Sequence, residues 1–243
     1  MAHIRLHLHF LISRKMLLIL AFCQLLCLAS FLYAAGALEP GTKRDMFQSE
    51  MYLAYLNDSF SLVRFMAIVL GVLLSGMTGT KEYILYSCFV IRKRRDTAVF
   101  WMSKNLSAML VECFVVYGFF IMFMVVGVLF VKHSFVISDI AGMFAKIALQ
   151  AGFYIILTDL LMGFARHYFI VFVPLFICWL TLSADISFFT PSQGGIHRVL
   201  YMIYPSVIMK GDLAVLWCNP TGCAMFSLGL AVLSGAVFCQ KDM

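Results

Sequence analysis

Two carboxyl residues, Glu112 and Asp159, stand inside long apolar runs of this chain, and a buried acid in such surroundings must pair, hold a proton or act. Lys146 and Asp185 are the other ionisable residues in or near apolar runs, and His167 completes the only polar set from which an intramembrane enzyme could be assembled. Glu112 is expected about two turns into one apolar run and Asp159 about two turns from the end of another, which places them at similar depth. The sharp reading is a proton-coupled or catalytic pair. The plainer one is a set of hydrogen bonds and ion pairs near the cytoplasmic interface, with Lys104 or Arg166 as partners.

Other catalytic patterns are missing from the sequence. Gly71 and Gly76 have the glycine spacing of a phosphate-binding loop, but Met77 stands where the lysine must reach the phosphates. No Gly-x-Ser-x-Gly elbow, His-Glu-x-x-His pair or acidic cluster occurs. The pairs Cys23/Cys27 and Cys218/Cys223 lack the histidines and second pair of a zinc site, so the cysteines read as small apolar packers, with a Cys218–Cys223 disulfide as the alternative. The chain is therefore expected to hold no cofactor, bind no ATP by itself and catalyse no reaction.

The elements that position these residues follow from composition. Charged residues make up 12% of the 243 and mean hydropathy is +0.96, about half the charge of an ordinary soluble domain. Each membrane-spanning helix takes about 20 mostly apolar residues, because lipid offers no partner to an open backbone group. The expected architecture is all-α, a single polytopic domain with six spans at about 16–37, 62–79, 106–131, 142–165, 168–185 and 221–239. The first run is read as an uncleaved span, since its apolar core exceeds that of a signal peptide. Before it, Ile4, Leu8 and Leu11 recur at helical spacing, as in a short helix lying on the membrane surface. Between the fifth and sixth spans, Pro191, Gly194, Gly195, Pro205 and Pro220 break an aromatic-rich stretch into a re-entrant or interfacial hairpin on the outer side.

Charge sets the expected orientation. Arg5, Arg14, Lys15, Lys81, Arg92 to Arg95, Lys104, Arg166 and Lys241 fall on one side, against Lys43, Arg44, Arg64, Lys132, Lys146, Arg198 and Lys210 on the other. The positive-inside rule puts the first group, and both termini, in the cytoplasm. The net charge of +6 is spread between apolar runs and forms no soluble basic face, so nucleic acid is not an expected partner. The longest cytoplasmic segment, "TGTKEYILYSCFVIRKRRDTAVFWMSKNL", joins an apolar run at residues 83–90 to the block "RKRR". Such a segment suits either a groove on a partner protein or anionic lipid.

This order of parts resembles the permease subunits of ABC-2-type ABC transporters, a class that includes exporters of antimicrobial peptides, drugs and polysaccharides. The likeness lies in the basic N-terminal segment, the second span running into "TGTKEYILYS", Arg95 followed by Lys104 at the opening of the third span, and the broken outer hairpin. Gly79 and Thr80 precede Glu82 here, whereas the family's usual order is the reverse. The resemblance implies a permease dimer in the cell membrane, with two identical or related copies. It also implies a separate ATPase subunit that carries ATP and Mg and docks on the loop holding Lys81, Glu82, Tyr83, Tyr86, Phe89, Arg92, Arg94, Arg95 and Lys104. The function it implies is export of a peptide, drug or lipid-like substrate, with an intramembrane enzyme or an ion-coupled transporter subunit as the alternatives.

Overall fold

The computed structural model describes residues 2–35, 52, 53, 55, 62–78, 94–131, 137–165, 167–176 and 220–241. Among them the chain is helical, with no strand: α1 (Ala2–Leu11), α2 (Arg14–Ala34), α3 (Leu62–Thr78), α4 (Arg94–Val126), α5 (Ile137–Ala165) and α6 (Pro220–Lys241). A π-helical turn, Gly127–Val131, extends α4, and a 3-10 turn, Tyr168–Val171, follows α5. Among the described residues three stretches are long and apolar enough to cross a membrane, Arg14–Ala34, Ala98–Val131 and Ile137–Phe164, while Leu62–Thr78 and Ser227–Gln240 are shorter apolar helices. Large apolar side chains also point outward: Phe114 is 78% exposed, Val232 74% and Leu18 72%. A helix that is apolar on its outward face as well as its inward one is at home in lipid, and the protein is built to be embedded in a membrane.

Ser13 begins α2, its hydroxyl accepting from the Met16 amide at 3.4 Å, one of the amides a helix start leaves without a partner. Side-chain contacts then fix the direction of each helix. Gln24 on α2 donates to the Val115 carbonyl of α4 at 3.2 Å, and Phe31 packs edge-on against Phe123, so α2 and α4 run the same way. Helices α4 and α5 are antiparallel, with Lys104 beside Asp159 at one end and Phe120 against Phe144, 5.6 Å between centroids, farther along. Helix α3 runs with α5: the Ser75 hydroxyl donates to the Ile155 carbonyl at 3.0 Å, and one turn earlier a Cβ on Gly71 would stand 3.3 Å from the Ala151 carbonyl. Helix α6 also runs with α5, since Asp159 meets Ser234 and Gly163 faces Val237.

Because α5 and α6 are parallel and adjacent, the end of one and the start of the other lie at opposite ends of the bundle. Helix α1 and the last turns of α6 sit at one shared end: His7 donates to or accepts from Ser103 at 3.1 Å and lies edge-on to Phe100, which also stacks with Phe238. At the other end Tyr52 stacks on Phe123 and donates to its carbonyl at 2.9 Å, and Tyr55 donates to Ser30.

Two expectations change. The third apolar helix starts at Arg94 and not near residue 106, so its first three turns belong to the helix and not to a loop. At 1.5 Å per residue its 33 residues span about 50 Å, more than the roughly 30 Å of a hydrocarbon core, so one end extends beyond it. The surface helix forms as α1, but it is docked on α4 through a fully buried His7, with Leu11 also buried and Arg5 and His9 left exposed. The other described boundaries move by a few residues: 14–34, 62–78, 137–165 and 220–241. Of the expected fifth span, residues 168–176 are described, and the outer hairpin lies outside the described residues.

Candidate functional site

Asp159 is the hub of a polar cluster that ties α4, α5 and α6 together. Lys104 forms an ion pair with one carboxylate oxygen, and both side chains are 2% exposed. The other oxygen accepts from Trp101 Nε1 at 2.6 Å, Asn105 Nδ2 at 3.0 Å and Ser234 Oγ at 2.6 Å. Trp101, Lys104 and Asn105 fall three or four positions apart on α4, so one helix face presents all three donors. Lys104 also stands 5.4 Å over the Phe238 ring, a cation–π contact, and a Cβ on Gly235 would meet the Trp101 ring at 3.3 Å. An ionised pair survives away from water only when its remaining hydrogen-bonding capacity is met. Asp159 meets that condition.

Glu112 does not. It is 1% exposed, and neither carboxyl oxygen has a hydrogen-bond partner. It lies eight residues along α4 from Lys104, a rise of about 12 Å. With Met109, Cys113, Ala148, Gly152 and Phe153, and with Ser227 of α6, it lines a cavity of about 300 Å³. The expectation that Glu112 and Asp159 share a depth is corrected by the helix boundary: because α4 begins twelve residues earlier than position 106, Lys104 reaches the level of Asp159 and Glu112 sits deeper. Gln150, buried to 1%, likewise has neither amide atom hydrogen bonded.

His167 is exposed and its Nδ1 accepts from the Phe169 amide at 3.4 Å, opening the 3-10 turn. Glu112, Asp159 and His167 therefore occupy three separate surroundings. Lys104, placed by its sequence position in the coupling loop, is a buried helix residue. Arg94 and Arg95 form the first turn of α4. Lys81, Glu82, Tyr83, Tyr86, Phe89, Arg92, Asp185 and the Cys218–Cys223 pair lie outside the described residues. Cys23, Cys27, Cys113 and Cys239 are free thiols, and among the described residues no three potential ligands gather for a metal.

Sequence reasoning missed Trp101, Asn105 and Ser234, and it missed the full burial of Arg64 within α3. A signal for the first two was present: Trp101, Lys104 and Asn105 share a helical face once the helix is extended back to Arg94. Compared with known proteins, this chain matches no family model, no curated protein and no solved structure.

Proposed function

We infer that the chain is the transmembrane permease subunit of an ATP-driven exporter, working as a homodimer or heterodimer with a separate ATPase chain that holds ATP and Mg. The observation that carries this reading is α4: it runs unbroken from the basic block at Arg94 to Val126, and its third and fourth turns are fastened to α5 and α6 through Asp159. A force applied at the cytoplasmic start of α4 would move three helices as a rigid body, the kind of step that switches access. The moved substrate is a peptide, drug or lipid-like molecule.

Six crossings in the cell membrane with both termini cytoplasmic fit this reading. The parallel α5 and α6 call for a further crossing between them, for which residues 168–185 are apolar enough, and α1 and the end of α6 meet at one end of the bundle. The basic residues at that end favour the cytoplasm. A second reading, an ion-coupled transporter subunit, draws on the unpartnered Glu112.

The test is pull-down of the intact chain from its native membrane followed by ATPase assay. An ATPase should co-purify and be stimulated by the permease, and the double charge reversal Arg94→Glu with Arg95→Glu should uncouple hydrolysis from transport. Absence of a bound ATPase, or unaltered coupling in the folded variant, overturns the proposal.

A further inference from the structure

The cavity beside Glu112 is bounded by α4, α5 and α6 and stands apart from the ATPase reading, on which it does not depend. Its lining is apolar apart from two groups, the Glu112 carboxyl and the Ser227 hydroxyl. At about 300 Å³ it falls at the small end of the range that holds organic ligands. Space remains within it, since nothing lies within 4 Å of where a Cβ on Gly152 would sit. Cys113 and Ala145 on its rim are exposed, so it opens on the lateral surface of the bundle.

Burying an ionised carboxyl without a donor is costly, and a neutral acid or a paired carboxylate is the stable form. An inorganic cation does not complete this site. Calcium and magnesium take about six or more oxygen ligands, and the lining supplies a carboxyl and one hydroxyl. An organic cation needs only one counter-charge, because its remaining surface is satisfied by apolar and aromatic walls. Met109, Phe153 and Ile156 provide those walls, and the Phe153 ring adds attraction for a positive centre near its face.

We propose that this cavity binds a small hydrophobic organic cation, an amine or quaternary ammonium bearing an apolar group, with Glu112 as its counter-charge. Entry is lateral, past Cys113 and Ala145. When the cation binds, a neutral Glu112 gives up its proton to water and the carboxylate left behind pairs with the cation, so the charge within the cavity stays balanced.

The experiment uses the purified full chain in nanodiscs and benzyltrimethylammonium as probe, with neopentylbenzene, its uncharged carbon isostere, in parallel. Wild type should bind the cation saturably and bind the isostere at least about tenfold more weakly, a difference of about 1.4 kcal/mol. Glu112→Gln should lose at least about tenfold in affinity for the cation while affinity for the isostere holds. Gly152→Val, which fills the space and leaves the acid in place, should weaken both. Equal affinity of wild type for the two probes, equal cation affinity of wild type and a folded Glu112→Gln, or no saturable binding by wild type up to about 1 mM, each overturns the proposal. None of these results bears on whether an ATPase docks at Arg94.

Discussion

Asp159 and Glu112 are carboxyls of one helical bundle, both almost fully buried, with Glu112 about 12 Å along α4 from the Lys104 that pairs with Asp159, yet their surroundings are opposite. Asp159 receives Lys104, Trp101, Asn105 and Ser234. Glu112 receives no donor and faces a cavity. The difference separates what a buried charge does for a fold from what it leaves available. A carboxylate whose acceptor capacity is used by donors from two other helices fixes the arrangement of all three and has little left to offer a ligand. One with none of its capacity used contributes nothing to helix association, and its burial calls for another explanation.

The comparison breaks first at Lys104. Lys104→Met would leave Asp159 ionised and buried without its counter-charge, and breaking one side of a buried pair costs about 3–5 kcal/mol. Denaturant titration of the purified chain should show this as a loss of most of its folded range. Changing Lys104 and Asp159 together to leucine should recover most of that loss, because replacing a buried ion pair with apolar residues is often neutral. If the double variant is as unstable as the single one, the cluster's value lies in its geometry and not in its charge balance.

A smaller effect is expected at Ser234. Ser234→Ala removes one hydroxyl donor of several, and interhelical hydrogen bonds in membranes are worth about 0.6 to 2 kcal/mol. Because α6 reaches Asp159 through Ser234, the change should loosen α6 from α5 more than α4 from α5. Disulfide trapping with cysteines introduced at Gly163 and Val237, which already face each other, would read that selectively.

How much of this was legible in the sequence follows from the same residues. Long apolar runs separated by charge carry the helical, membrane-embedded architecture, because apolar length is a local property. Asp159 and Lys104 were visible as candidates for one another for the same reason. The depth of Glu112 was not legible, since "RRDTAVFWMSK" is too polar to score as membrane yet continues the helix without a break. Hydropathy locates where lipid begins and is silent on where a helix begins. Ser234 was invisible because a lone serine in an apolar helix acquires meaning only when packing brings it to Asp159, seventy-five residues away in the chain.

The smallest effect should be at Glu112 itself, and it is the most discriminating. Glu112→Gln keeps the shape and removes the ionisable group. If the carboxyl stabilised the bundle as Asp159 does, the loss would approach that of Lys104→Met. With no donor to lose and one buried unsatisfied polar group replacing another of the same shape, the substitution should shift stability by less than Ser234→Ala does. A large loss would mean that Glu112 is paired in the membrane, and the contrast between the two carboxyls would collapse. A negligible loss leaves its charge free to answer to whatever enters the cavity.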